Sequence, residues 1–289
     1  MNDENTYLYD PNSPDEMERL ARQGRMLTAA LGLLPLVDPL DLLSKASLPQ
    51  ILDIGSGPGE WALELAVLYP SMQIIGIDIS VPMIKHASIQ AESQETPNVR
   101  FRWMNALKPL DFPDAFFDLI NIRSGVGFIP REKWVSVFQE CFRVLRPGGI
   151  LLSIEGDAGV QTYESPNTAQ MIHWLCQALF VKGLGFWDGY GSMLGIHGKQ
   201  LAFFRKVGFP NENIQTQLSL VEASYESPQW QGWLDHHRNT VEGIKPIVCG
   251  QLGISKERFK EVLERSFLEA YQKNFCSYTH FLAVSGRKP

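Results

Sequence analysis

Three glycines and two carboxylates in the first third of the chain carry its clearest chemical signal. The glycines stand in the run Gly55-Ser56-Gly57-Pro58-Gly59, just after an apolar segment that contains Asp53, and Asp78 ends the next apolar segment. Glycine permits left-handed backbone angles and lets a ligand approach the main chain closely. An acidic residue about 20 positions further on grips ribose hydroxyls in nucleotide-binding α/β folds. The pattern therefore predicts a ligand that contains a ribose.

Three kinds of ligand compete for this turn. A dinucleotide site has the pattern G-x-G-x-x-G. The chain instead has G-x-G-x-G, and Glu60 stands where the third glycine is expected, so that its carboxylate would face a pyrophosphate. A P-loop is excluded because no Gly-Lys-Ser/Thr follows the turn. A nucleoside with a small zwitterionic tail remains.

Apolar runs and helical patterns alternate around the turn. This rhythm predicts right-handed crossovers and a parallel sheet that is covered on both faces. The first helix is expected to begin with Ser13 as N-cap, Pro14 as first helical residue and Glu16 as partner in a capping box. Strands are predicted at 51–54, 73–79, 99–103, 117–122, 150–155, 213–221 and 279–285, and helical segments at 60–68, 81–90, 132–145, 200–207 and 228–274.

The rhythm changes after the fifth strand, where the sequence becomes rich in glycine and aromatic residues. We interpret the chain as a single domain, residues 1–289, that consists of a sheet core and a mainly helical substrate cap. The core is expected from residues 47–155, 198–222 and 277–289, and the cap from residues 1–46, 156–197 and 223–276.

Composition narrows the partners and the compartment. The chain has 289 residues, 44% of them hydrophobic, and a net charge of -6 with no Lys/Arg-rich run, which argues against nucleic acid and anionic membranes as partners. An acidic, polar start and scattered cysteines favour a cytoplasmic protein without a metal site. The pair His236-His237 is expected to be solvent-facing or core, since adjacent helical residues point about 100° apart. We expect a monomer or homodimer.

Four segments together resemble class I S-adenosylmethionine-dependent methyltransferases. The first motif of that family resembles ILDIGSGPG, and its adenine-contacting segment with the fourth strand resembles WMNALKPLDFPDAFFDLI. Its helix, turn and fifth strand resemble CFRVLRPGGILLSIE, and its last helix resembles LAFFRKVGFPNENI. The resemblance implies an α/β fold with a doubly wound, Rossmann-like seven-stranded sheet, mostly parallel with an antiparallel last strand. It also implies S-adenosyl-L-methionine as cofactor.

The resemblance assigns residues to the methionine and ribose parts of the cofactor. Gly55, Ser56 and Gly57 would lie against the methionine part. Asp53 would orient that loop or receive the ammonium through a water, although it could also only cap the turn. Asp78 would accept hydrogen bonds from both ribose hydroxyls.

The adenine and the reacting end have their own implied contacts. Ile79 and Met83 would pack on the adenine, and Asn105 and Ala106 would flank its edge. The family often has Asp where this chain has Asn105, whose amide oxygen can still accept from the exocyclic amine. Two residues are implied near the methionine end: Arg123, which a salt bridge within the protein would explain equally well, and Gln23, which resembles a glutamine that touches the cofactor's carboxylate.

The substrate side rests on weaker signals. His197, which follows the glycine-rich loop, is the candidate general base. Phe186, Trp187 and Tyr190 either line an apolar acceptor pocket or pack the cap, and Tyr9 is either part of a lid or part of a tail. An apolar cap and the sequence NIRSGVGF after the fourth strand, where amino-group methyltransferases have an Asn-Pro-Pro-Tyr-like motif, favour O- or C-methylation of a small, largely apolar molecule of secondary-metabolite or quinone type. A non-catalytic cofactor-binding protein and, less favoured, a nicotinamide-dependent oxidoreductase stay open.

Overall fold

A mixed sheet forms the centre of the molecule. The computed structural model describes residues 7–10, 13–157, 160–161, 164–189 and 193–289. Within these residues the strands are β1 (Gln50–Ile54), β2 (Gln73–Asp78), β3 (Val99–Trp103), β4 (Phe117–Arg123), β5 (Leu145–Gly156), β6 (Val160–Gln161), β7 (Ile214–Glu222) and β8 (Ser277–Arg287).

The strand order is β3-β2-β1-β4-β5-β8, with β7 paired to β8 and the two-residue β6 also paired to β8. The strands β1 to β5 pair in parallel, and β8 runs antiparallel to both β5 and β7. The predicted Rossmann-like sheet of seven strands with an antiparallel last strand is therefore confirmed, and β6 is a short addition.

The fifth strand differs from its prediction. It begins at Leu145, which pairs with Phe117, and the register shifts before Ile150 pairs with Leu119. The residues Arg146 to Gly149, predicted as a turn after a helix, therefore form an irregularity within the strand, where Gly148 has a φ of 78°. A bulge of this kind inserts extra residues without ending the strand.

Alternate strand residues supply the two faces of the sheet, each of which is covered. Ile51 and Leu119 belong to the core on one face, and Leu52 and Ile120 belong to the core on the other. All four are fully buried, as expected for parallel strands between helical layers. The covering helices are α3 (Glu60–Leu68), α4 (Val81–Ser93), α5 (Trp134–Val144) and α7 (His197–Val207).

Four further helices pack on one another: α1 (Pro14–Leu31), α6 (Pro166–Val181), α8 (Trp230–Gly250) and α9 (Lys256–Ala270). The short helix α2 (Pro39–Lys45) instead contributes Leu42 to the core on one face of the sheet. Helix α8 contacts α1, α6 and α9, and α6 contacts α9. The helical pattern predicted over 228–274 is thus two helices, because Gly253 adopts a φ of 73° and Ser255 caps α9. No helix among the described residues is both long and apolar enough to cross a membrane.

The start of α1 corrects one prediction. Ser13 is the N-cap and Pro14 the first helical residue, but the Ser13 side chain makes no capping hydrogen bond. Glu16 is buried and bonds to Arg19 instead. A buried arginine competes for the carboxylate more strongly than a backbone N–H does, because the charge pair offsets the cost of burying both groups.

Candidate functional site

One cavity opens where the parallel strands end. It has a volume of about 340 Å³ and lies at the carboxyl ends of β1, β2 and β4, the place where open α/β sheets bind ligands. Helices α1, α6 and α8 contribute the other walls. The cavity therefore brings together the sheet core and the helices that the sequence assigned to a cap.

The glycine turn between β1 and α3 forms part of the floor. Gly55, Gly57 and Gly59 have φ angles of 69°, 53° and 92°, a region that glycine adopts without strain. At Gly59 a Cβ would also lie 2.8 Å from the Phe101 ring and 2.9 Å from Ala87. The conformation of the turn is thus fixed by its backbone angles and by the packing of Phe101 and Ala87 against Gly59.

The amide groups of this turn are already used within the protein. The N–H groups of Gly55 and Ser56 donate to the Ile77 carbonyl at 2.9 and 3.0 Å, and Gly59 N–H donates to the Ser56 carbonyl at 3.0 Å. Gly57 N–H donates to Asp78 Oδ2 at 2.9 Å, and the proline of the turn has no N–H. A pyrophosphate needs such donors, so the turn favours a ligand without phosphate groups.

Asp78 ties the turn to the tip of β2. Besides the bond from Gly57, its Oδ1 accepts the Ser80 N–H at 2.8 Å. Burial raises the pKa of this carboxyl, and the backbone donors oppose the rise. A carboxylate offers about four lone-pair positions, so Asp78, which lines the cavity, keeps accepting capacity for a hydroxyl.

An acidic and a basic side chain, Asp53 and Arg123, lie near the glycine turn. Asp53 is 4% exposed, and its Oδ1 accepts a hydrogen bond from Asn121 Nδ2 at 2.8 Å. Burial raises the pKa of Asp53 to about 6, and Arg123 opposes the rise. The Arg123 guanidinium donates to Thr28 Oγ1 at 3.2 Å, and its pKa is lowered, mainly by burial. Because both charged groups line the cavity, a ligand with an ammonium and a carboxylate would find complementary partners.

The wall beyond β2 is mostly apolar. Ile79, Met83 and Ala106 line it together with Asn105. The Asn105 Oδ1 accepts the Leu107 N–H at 2.9 Å, so one lone pair of the predicted adenine contact is already engaged. The wall suits a flat aromatic group with a polar edge.

A buried polar network lies across the cavity on α1. Arg19 donates from Nε and Nη2 to the Glu16 carboxylate at 2.7 and 2.6 Å, and from Nη2 to the Tyr7 hydroxyl at 3.1 Å. The Tyr7 hydroxyl also donates to Glu16. A third donor, Arg19 Nη1, reaches Gln23 Oε1 at 3.1 Å. The network anchors the segment before α1 over the cavity.

Helix α8 places both of its adjacent histidines at the cavity. His236 lies beside Arg19, and the His237 ring stacks on Trp233 with a centroid distance of 4.7 Å. Burial, followed by the Arg19 charge, lowers the pKa of His236 to about 3, and burial alone lowers the pKa of His237 to about 4. The sequence-based expectation of ordinary solvent or core histidines misses this position, because two rings 100° apart can both border a wide cavity.

An apolar chamber continues from this network. Asp157 fixes one of its edges, since its carboxylate accepts the N–H groups of Leu194 and Gly195. Apolar side chains dominate the chamber: Val126, Phe128, Ile172, Leu175, Leu179, Leu194, Trp233 and Phe281. Pockets of this composition hold small, largely apolar molecules.

The cavity gathers most of the residues that the sequence singled out, and their roles stay predictions. Tyr9 lines it, and so do all the predicted cofactor contacts: Gln23, Asp53, Gly55, Ser56, Gly57, Asp78, Ile79, Met83, Asn105, Ala106 and Arg123. Tyr190 lies outside the described residues. Phe186, Trp187 and His197 do not line the cavity.

These three residues pack elsewhere for identifiable reasons. The Phe186 ring lies 5.7 Å from the Phe203 ring, and the Trp187 ring lies 5.4 Å from the His173 ring. The Nε2 of His197 lies 2.8 Å from the Glu155 carbonyl oxygen; since a carbonyl only accepts, that nitrogen carries the proton. His197 thus does not line this cavity, and its role as a general base stays a prediction.

Several cavity residues gave no signal in the sequence. Arg19 and Thr240 stand on helices whose polar and apolar spacing is that of any buried helix face. More than 200 residues separate Arg19 from His236, its neighbour in the structure. Only the early Tyr7 and Tyr9, polar aromatics before a helix start, offered a hint.

Glu155 binds the backbone of the segment that follows β4, and its titration leads to a prediction. It is fully buried, and its oxygens accept the N–H groups of Gly125 and Val126 at 2.9 Å each. Burial raises its pKa from 4.5 to about 8, so the folded state holds this proton more tightly than the unfolded state. The free energy of unfolding of the wild type, relative to Glu155→Gln, should therefore fall as pH rises from about 5 to about 8.

Urea unfolding at pH 5, 6, 7, 8 and 9 measures this difference, with Glu261→Gln, on the exposed face of α9, as the control. Parallel pH curves for the wild type and Glu155→Gln would contradict a raised pKa at this position.

Gly243 in α8 leads to a second prediction. A Cβ at Gly243 would lie 2.2 and 2.3 Å from two atoms of the Tyr9 ring. Gly→Ala inside a helix normally stabilises by about 0.5–1 kcal/mol. Gly243→Ala should instead destabilise by about 1–3 kcal/mol, because Tyr9 must be displaced.

Gly232 provides a matched control on the same helix, since a Cβ there meets no atom within 4 Å. Thermal unfolding should show Gly232→Ala as neutral or stabilising. Equal stabilisation by both substitutions would mean that Tyr9 does not lie against α8.

Known proteins resemble the chain most clearly in the sheet core. Residues 51–149 match a family described as a methyltransferase domain. A demethylmenaquinone methyltransferase of Lactococcus lactis is 35% identical over 106 residues, which are 36% of this chain and 41% of that protein. The aligned part thus spans less than half the length of that relative.

Two further comparisons extend over nearly the whole chain. The secondary metabolism regulator LAE1 of Gibberella fujikuroi is 25% identical over 98% of this chain and 87% of its own length. The solved structure of phosphoethanolamine N-methyltransferase 2 of Haemonchus contortus aligns with a TM-score of 0.53 and 18% identity, covering 96% of this chain and 58% of that one, which shows a shared fold. The predicted resemblance to class I S-adenosylmethionine-dependent methyltransferases is confirmed for residues 51–149, which match the methyltransferase-domain family.

Proposed function

We propose that this protein transfers a methyl group from S-adenosylmethionine to a small, largely apolar molecule. One observation carries the proposal: a single cavity joins a polar floor at the strand ends to an apolar chamber beneath α6 and α8. A methyltransferase needs both parts side by side, because donor and acceptor must meet in line.

The floor fits the cofactor at three points. Asp53 and Arg123 offer opposite charges to the amino and carboxylate groups of a methionine tail. Asp78 offers a carboxylate to a ribose diol. The wall that contains Ile79 and Met83 offers apolar contact to an adenine. The lack of unused N–H groups in the turn further disfavours the nicotinamide alternative, which carries a pyrophosphate.

Methyl transfer requires mainly that the protein align the methyl donor with the acceptor and exclude water. When bound, the cofactor supplies a methyl group on a sulfonium, which is itself a good leaving group. The described side chains act by position: Asp78 and the glycine turn hold the donor, and Leu175, Leu194 and Trp233 enclose the acceptor and keep water out. Both cavity histidines are neutral at physiological pH.

The finer class of acceptor follows from the chamber and from one relative. An apolar chamber with a polar wall that includes Tyr9 and His236 suits a phenol, an enol or a quinol. The relative named demethylmenaquinone methyltransferase supports a quinone-type acceptor. We therefore favour O- or C-methylation, in a cytoplasmic monomer or homodimer.

Two measurements test the proposal. Calorimetry should show that S-adenosylhomocysteine binds and that NAD does not; preferential binding of NAD would overturn it. With radiolabelled S-adenosylmethionine, a panel of phenols, enols and quinols should contain at least one methyl acceptor. Tight cofactor binding with no transfer to any of them would favour the non-catalytic alternative.

A further inference from the structure

A chain of hydrogen bonds links α1 to α8 along one wall of the cavity. Arg19 Nη1 lies 3.4 Å from His236 Nδ1. The other ring nitrogen, His236 Nε2, lies 3.4 Å from Thr240 Oγ1, and a hydrogen bond from the Thr240 side chain acts to lower the pKa of Tyr9. Arg19, His236, Thr240 and Tyr9 all line the cavity. We call these four residues the donor relay.

The donor relay runs in one direction because guanidinium groups only donate. His236 Nδ1 must therefore accept from Arg19, and a neutral imidazole then carries its proton on Nε2. That proton points to Thr240 Oγ1, so the threonine hydroxyl donates to Tyr9. The Tyr9 hydroxyl keeps its own proton as the last donor of the relay.

The surroundings hold the relay in this state. Glu16 binds the opposite side of Arg19 through the Nε and Nη2 groups, which leaves Nη1 for Gln23 and His236. Burial keeps His236 neutral, with its pKa lowered to about 3, and keeps Tyr9 protonated, with its pKa raised to about 12. Hydrogen bonds in such a chain polarise one another, and the Arg19 charge, offset in part by the Glu16 carboxylate, acts to lower the pKa of Tyr9.

Tyr9 itself is held in place on three sides. Its ring packs against Gly243 of α8, where a Cβ would not fit. The Arg19 guanidinium lies over the ring at 4.9 Å from its centroid, and the Tyr7 ring meets it edge-on at 5.7 Å. The Tyr9 ring, which lines the cavity, is therefore held in one position.

We propose that the donor relay is an oxyanion subsite, in which the Tyr9 hydroxyl donates to an enolate or phenolate oxygen of the methyl acceptor. This assignment rests on the proposed function and specifies its acceptor class. A polarised donor stabilises a developing negative charge more than a neutral oxygen. The long 3.4 Å contacts fit a site whose hydrogen bonds tighten only when the anion is bound.

The test uses 7-hydroxycoumarin, whose neutral and anionic forms have different fluorescence excitation. Bound to the wild type with saturating S-adenosylhomocysteine, the probe should ionise at least one pH unit lower than in water, a tenfold preference for the anion. Tyr9→Phe keeps the ring and removes the donor, and His236→Phe breaks the relay in its middle; each should abolish the shift. Thr240→Val gives the same break where His236→Phe does not fold.

His237→Phe is the matched control, because His237 borders the same cavity but is not part of the relay. It should keep the shift, and 7-methoxycoumarin, which cannot ionise, should bind the wild type and Tyr9→Phe equally. An unshifted ionisation, no binding of 7-hydroxycoumarin, or equal loss in His237→Phe and His236→Phe would overturn the subsite.

Calorimetry with S-adenosylhomocysteine separates this inference from the proposed function. All four variants should bind the cofactor product within about twofold of the wild type. Loss of cofactor affinity in Tyr9→Phe would place the relay at the cofactor instead and overturn the assignment. If the wild type does not bind the product, the proposed function fails, and the same probe titration without it still tests the relay.

Discussion

Asp78→Asn should weaken the binding of S-adenosylhomocysteine roughly 10- to 100-fold. Hydrogen bonds to a charged acceptor contribute about 1.5–3 kcal/mol each, and each 1.4 kcal/mol is about a factor of ten in affinity. In the wild type, the N–H groups of Gly57 and Ser80 donate hydrogen bonds to the Asp78 carboxylate. The amide of the variant would direct its NH₂ group at one of these two donors. The ribose contact and the shape of the turn would be lost together.

Calorimetry on the folded variant measures this effect. Asp111→Asn is the control, because Asp111 is an exposed carboxylate whose partner Arg102 is also exposed, and surface ion pairs contribute little. Asp111→Asn should bind the cofactor product as the wild type does. An unchanged affinity in Asp78→Asn would remove Asp78 from the ribose site.

The strands and their order of appearance could be predicted because each buried strand is a short apolar run between turn residues. β3 and the helix α3 begin and end where the sequence patterns predict. The start of β5 could not be predicted, because Arg146-Pro147-Gly148-Gly149 has the composition of a turn. Contacts across the sheet keep these residues in the strand, among them the pairing of Leu145 with Phe117 and the hydrogen bond from Gly148 N–H to the Lys288 carbonyl.

The floor of the site could be predicted for the same reason that the sheet could. Asp53, Asp78 and Arg123 each stand at the end of a parallel strand, and parallel strands bring such ends together. Their positions at the ends of predicted strands therefore predict that they lie close together.

The helices on the opposite side of the cavity have no comparable pattern in their sequences. Arg19 and His236 meet because α1 packs on α8, and nothing in either helix announces its partner. The aromatic cluster around Trp187 resembled a pocket in composition, but aromatic residues that pack on one another and those that line a cavity look alike in sequence. Tertiary packing alone decides between the two.

Filling the chamber should separate methyl transfer from cofactor binding. Leu175 lines the cavity from α6 and is only partly buried, so a larger side chain there would extend into the chamber. Leu175→Trp should abolish methyl transfer to an acceptor found in the panel, because the indole would occupy the acceptor's place. The affinity for S-adenosylhomocysteine should stay within about threefold, since Asp53, Asp78 and Arg123 lie at the strand ends and are untouched.

Val181→Trp supplies the control at the exposed end of the same helix, where Val181 is 46% exposed, and it should transfer methyl groups as the wild type does. The acceptor's KM should rise steeply in any residual activity of Leu175→Trp, because the substitution acts on acceptor binding. Normal turnover by Leu175→Trp would show that the acceptor binds elsewhere. Equal loss of cofactor affinity would show that the chamber and the cofactor floor are one site, and the division of the cavity between donor and acceptor would be wrong.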